Sequence, residues 1–173
     1  MTTKGNLPHP EEEPVNGVPR EKYEWLVNVG RLAREFNKEH EIGMGTCQAH
    51  NFTLEAMLQK LGVDCRVVVM DDPYSLRHFF VVIQGDAADD EISADAYPEG
   101  GTYTKLMGNE VNVFKTKLPE NIQYYGAREL SEENDHLAER RSEYSTIIKQ
   151  VEQGLDEHPP DLVELEKNNP FRK

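Results

Sequence analysis

Phe79-Phe80-Val81-Val82-Ile83 is the most apolar run in the chain, and it constrains the fold more than any other segment. A short run of aromatic and β-branched residues predicts a buried strand. A second β-type run spans Cys65 to Met70, and the first one extends from His78 to Gln84. The turn-prone Asp71-Asp72-Pro73-Tyr74-Ser75 joins them. A third run, Ile92 to Tyr97, follows the acidic loop Gly85 to Glu91, and Pro98-Glu99-Gly100-Gly101 marks the next turn. Val111 to Phe114 reads as a further strand.

Helical periodicity surrounds these strands. Tyr23, Leu26, Val29, Ala33 and Phe36 recur at three- and four-residue steps between Arg20 and His40, with Trp25 and Leu32 flanking the stripe. The two glycines of Gly43-Met44-Gly45 permit a tight turn, after which Thr46 is a good N-cap. His50, Leu54, Met57 and Leu61 continue at helical spacing until Gly62 stops the helix. Another stripe, Leu130, Leu137, Tyr144, Ile148, Val151 and Leu155, starts near the cap Ser131 and ends before His158-Pro159-Pro160. Helices, then strands, then a helix predict an α+β fold with an antiparallel sheet. No internal repeat interrupts that order.

Composition narrows the function. The chain has 173 residues, enough for a single domain. Its mean hydropathy of −0.72 is low for a fully packed globule. Residues 1–19, rich in proline, glycine and acid, read as a flexible leader, 20–157 as the domain, and 158–173 as a polar tail. A net charge of −13 repels phosphate backbones, which argues against nucleic acid as a partner. No long apolar run predicts a membrane span, and the N-terminus has no signal-like stretch. Cytoplasmic folding, or export without a cleaved signal, is the expectation.

The chain has two cysteines, too few for a disulfide framework and without zinc-ligand spacing. Cys65 reads as a small buried side chain. Cys47 differs, because it follows the cap Thr46 and so falls in the first turn of a helix. There the unsatisfied N–H groups and the helix dipole favour a negative sulfur by ~0.3–1 kcal/mol. The same groups suit the oxyanion of a tetrahedral intermediate. His78 opens the apolar strand, where a base for a helix-borne thiol would stand. Asp95 lies between Ala94 and Ala96 on the next strand, where a carboxylate can orient an imidazole. Cys47, His78 and Asp95 are the expected nucleophile, base and orienting acid.

This is also where the sequence resembles a known family. Gly45-Thr46-Cys47, then Ala49, Leu54, Met57 and Leu58, then Leu61-Gly62-Val63-Asp64-Cys65-Arg66-Val67-Val68, is similar to the core of the transglutaminase-like superfamily. In that family a G-x-C helix start precedes an apolar helix, a Leu-Gly turn and an Arg-x-Val strand. His78 and Asp95 fall where its other catalytic residues stand. Many members carry tryptophan shortly after the histidine, whereas this chain has Phe79 and Phe80. The resemblance covers residues 43–98 and implies a papain-like fold with the nucleophile helix on an antiparallel sheet. It implies chemistry on amide groups through a thioester, as in transglutaminases, protein-glutamine deamidases and peptidases, including bacterial effectors and toxins. A protein is the implied substrate, through a glutamine side chain or a peptide bond, and no cofactor or metal is implied.

Competing readings have less support. His50 lies one turn beyond Cys47 and is an alternative base, but it also falls on the apolar stripe with Leu54 and Met57. A metal site of Cys47, His50 and His78 lacks a fourth ligand pair at familiar spacing. The acidic residues from Asp86 to Glu91 lack the spacing and glycine of a calcium loop. A non-catalytic binding module of the same fold is the alternative from a different class.

Overall fold

The computed structural model describes residues 13–70, 78–85, 90–97, 110–116 and 141–172. The first amphipathic stripe becomes α1, Arg20–His40, which buries Trp25, Leu26, Val29, Ala33 and Phe36. Glu41 ends it in a left-handed conformation, with its N–H bonded to Asn37 O. A single turn of tighter helix over Ile42–Gly45 reverses the chain into α2, Cys47–Lys60. Extended backbone at Thr46 (φ −86°, ψ 155°) lets its Oγ1 accept from Ala49 N–H at 3.2 Å, which fixes where α2 begins.

The sheet has four strands in the order β1-β2-β3-β4: Cys65–Met70, His78–Ile83, Ile92–Asp95 and Asn112–Lys115. Each neighbouring pair is antiparallel, with Cys65 opposite Ile83, Val81 opposite Ala94, and Asp95 opposite Asn112. The expected fold class, α+β on an antiparallel sheet, is therefore observed. The third run stops as a strand at Asp95, short of the expected Tyr97, and the fourth is displaced one residue along the chain.

Phe79, Val81, Ile83, Ala94 and Val113 join Leu26, Val29, Phe52, Leu54 and Leu58 of the helices in one core. The intervening Val68, Phe80, Val82 and Phe114 are also fully buried, and the Phe80 and Phe114 rings lie 6.3 Å apart. Alternate side chains leave opposite faces of a strand, so the sheet is covered on both sides here. That explains why residues 79–83 read as a continuous apolar run rather than an alternating one.

Two segments depart from the expected boundaries. Val15 and Val18, assigned to the leader, bridge each other around a turn with positive φ at Asn16 and Gly17. Val18 is fully buried, while Asn16 donates to Val113 O and accepts from Lys115 N–H, so this turn is anchored to β4. The expected tail also packs back. After α3, Ser145–Glu157, comes the short helix α4, Val163–Lys167, with Leu162, Leu165 and Phe171 against the core. Trp25 Nε1 donates to Leu165 O at 2.9 Å, and Asn169 Nδ2 donates to Leu61 O at 2.8 Å. Apolar residues spaced along a polar sequence supplied these anchors. The expected start of the last helix near Ser131 and the loop at 71–75 lie outside the described residues. Among the described residues, no helix is long and apolar enough to cross a membrane.

Candidate active site

Cys47 is the first residue of α2 and a half-buried free thiol. The Ala49 N–H is engaged by Thr46 Oγ1. Among the described residues, this leaves the N–H groups of Cys47 and Gln48 as the first-turn donors for an incoming anion. Gly43 (φ +64°) lies directly behind this turn; a Cβ there would sit 2.3 Å from Ala49 Cβ. The absence of a side chain lets the preceding turn close against α2.

Asp95 ends β3 and is fully buried. Its Oδ1 accepts from Asn51 Nδ2 at 3.1 Å and from the Tyr97 N–H at 2.9 Å. Asn51 is itself fully buried and stands one turn beyond Cys47 on α2. Its Nδ2 also lies 3.0 Å from Cys47 O and 2.8 Å from Phe79 O, while its Oδ1 accepts from Ala96 N–H at 3.0 Å. A backbone N–H can only donate, so the pairing with Ala96 fixes which end of the amide is oxygen. One side chain thus joins the start of the thiol helix, the start of β2 and the buried acid.

His78 is the first residue of β2, immediately before Phe79. Continued by the same antiparallel step, the register sets Asp95 across from Phe80, two positions from His78 along β2. The imidazole of His78 itself lies outside the described part of the structure. Phe79 anchors this end of the strand, its ring edge-on to Tyr144 at 5.1 Å and 6.1 Å from Phe52 of α2. The main chain at His78, Cys47 and Asp95 therefore comes to one end of the sheet.

His50, the alternative base, is buried. Its Nδ1 lies 2.8 Å from Thr46 O, and because a carbonyl only accepts, Nδ1 carries the proton in that contact. Its ring packs 4.7 Å from that of Tyr97. Arg34 of α1 braces the same segment, donating to Ala96 O at 2.8 Å, pairing with Glu110 at 3.3 Å, and lying 5.5 Å from the Tyr97 ring centre. A groove of about 920 Å³ opens beside these groups, lined by Arg34, Lys38, Glu41, His50, Tyr97 and Glu110 among others.

Cys65 contrasts with Cys47. It is buried, with Sγ 3.7 Å from Glu55 O. Burial, with the negative charges of Glu55 and Asp64 as lesser causes, pushes its thiol up to about 12. Glu55 is buried too, with Oε2 accepting from Val67 N–H at 2.7 Å. Among the described residues, no group of three or more His, Cys, Asp or Glu side chains is placed to hold a metal ion.

Sequence reasoning singled out Cys47, His78 and Asp95 but gave no role in the site to Asn51, Arg34 or Tyr97. The available signal for Asn51 was its four-residue spacing from Cys47, which puts both on one helix face. Arg34 and Tyr97 carried no comparable signal, since their contact is set by how α1 crosses the end of β3. Comparison with protein-family models, curated proteins and solved structures finds no match to the chain.

Proposed function

We propose that the protein is a cysteine-dependent enzyme of the transglutaminase-like class, with a papain-like fold, acting on protein glutamine side chains through a thioester. The observation that carries this reading is the buried Asp95 carboxylate joined through Asn51 to the helix turn bearing Cys47. A buried acid beside the start of a strand opened by histidine suits the orienting member of a thiol triad. The two donors on Oδ1, Asn51 Nδ2 and the Tyr97 N–H, hold the Asp95 carboxylate in place at the end of β3.

In this mechanism the Cys47 thiolate attacks the carboxamide carbon, and its proton resides on His78. The oxyanion accepts from the N–H groups of Cys47 and Gln48 at the positive end of α2. Collapse breaks the C–N bond, and His78 gives its proton to the departing ammonia. Water, deprotonated by His78, then cleaves the thioester to release glutamate and regenerate the thiol; an amine in place of water gives a crosslink. The groove beside His50 and Tyr97, to which Arg34, Lys38, Glu41 and Glu110 also contribute, suits a solvent-exposed segment of a protein substrate.

Incubation with a glutamine-rich unfolded protein, followed by mass spectrometry, tests the proposal. The expected result is a gain of ~1 Da per deamidated glutamine, lost in Cys47→Ala and His78→Ala. Adding a primary amine should divert part of the product to amide adducts. Peptide cleavage dependent on Cys47 would replace the reading with a peptidase. Absence of any modification, together with sluggish alkylation of Cys47, would favour a binding module.

A further inference from the structure

We propose that Asn51 is a positioning residue for the thiol site, aligning Asp95 with the strand of His78 and with the first turn of α2. The inference rests on the reading of Cys47, His78 and Asp95 as a triad. Its physical basis is the reach of one buried amide. Nδ2 has two hydrogens and meets three acceptors: Cys47 O, Phe79 O and Asp95 Oδ1. At least one hydrogen is therefore shared, so the acid, the nucleophile's own carbonyl and the carbonyl after His78 are held by one planar group. The amide oxygen accepts from Ala96 N–H, the residue after Asp95, which fixes the amide against rotation.

Each contact constrains a different degree of freedom. The bond to Asp95 Oδ1 holds the carboxylate plane, so that Oδ2 keeps one direction. The bond to Phe79 O fixes the height of β2 beside the acid. The bond to Cys47 O prevents the first turn of α2 from sliding along the sheet. Glutamine would carry the same groups on a longer stem, alanine removes them without adding charge, and aspartate has the same shape but sets a second carboxyl group against Asp95 in place of the NH2 donors. Removing the donors should disorient the acid and, through it, the imidazole, so the sulfur loses the partner that takes its proton. The effect is a change in when the thiol reacts, beyond any change in stability.

The test is the rate of Cys47 alkylation by iodoacetamide against pH, resolved from Cys65 by peptide mass spectrometry. The full chain is used as wild type, Asn51→Ala, Asn51→Asp and His78→Ala. For both Asn51 variants the half-maximal pH should rise, and labelling at a pH well below the midpoint should slow by about tenfold for each unit of that rise. Wild-type profiles in both Asn51 variants, with a displaced profile in His78→Ala, would overturn the inference and leave the triad standing. A wild-type profile in His78→Ala would overturn both. If the variants do not fold, nitrogen-15 NMR of the wild type decides: the Asn51 amide resonances should titrate with the same midpoint as Cys47 labelling. Flat resonances across that range would refute the positioning role.

Discussion

Replacing Gly43 by alanine perturbs the turn that sets α2 in place, and its effect can be worked from the structure. Gly43 has φ +64°, a conformation that costs a residue with a Cβ about 1–2 kcal/mol. The new methyl would also meet Ala49 Cβ at 2.3 Å and Ile147 Cδ1 at 2.7 Å. Ile147 can swing its terminal methyl aside, but Ala49 is fixed in the first turns of α2, so the overlap there adds roughly 1–3 kcal/mol. Gly43→Ala should therefore destabilise the protein by roughly 2–5 kcal/mol, read from urea unfolding followed by circular dichroism. Ala49→Gly removes the clashing methyl at a cost of about 1 kcal/mol in helix propensity. The double variant should thus be more stable than the sum of the single effects by roughly 1–3 kcal/mol. Additivity to within about 0.5 kcal/mol, or an unchanged midpoint in Gly43→Ala, would refute the close packing behind the thiol helix.

Cys65 makes stability depend on alkaline pH. Its folded thiol holds the proton up to about 12, whereas the unfolded thiol loses it near 9.0. Between those values the native state binds more protons, so stability falls as pH rises, by about 1.4 kcal/mol per unit well inside the window and by roughly 1.4 kcal/mol in total by pH 10. Urea midpoints at pH 8 and 10 should converge in Cys65→Ala; an unchanged slope would rule this origin out. Glu55→Ala strands the Val67 N–H that now donates to Oε2 at 2.7 Å, and should cost about 1–3 kcal/mol, whereas Glu55→Gln should lose less than half as much. Equal losses in the two would show that the acceptor oxygen is unimportant. Trp25→Phe removes the 2.9 Å bond to Leu165 O and should cost about 1 kcal/mol. Hydrogen exchange in α4 should rise in that variant, and unchanged protection would separate the bond from the docking of that helix.

The sequence determined by itself those elements whose signal is local. The stripe from Tyr23 to Phe36 gave α1, Thr46 and Gly62 bracketed α2, and short apolar runs located the strands, because periodicity and capping act within a few residues. Cys47 at a helix start was legible for the same reason. Val15-Asn16-Gly17-Val18 also carries a local signal, the Asn-Gly pair favoured in tight hairpins, with φ of 52° and 78°. Other features became visible only once the chain was folded. That Val18 joins the core, and that Leu165 and Phe171 pack against it, depends on surfaces formed by β4 and α1, remote in sequence. That Asn51 reaches Asp95, 44 positions away, depends on how α2 lies across the sheet. Local preferences choose helix or strand, but a buried polar group must find its partners wherever the packed backbone brings donors and acceptors together, and that geometry is a property of the whole fold.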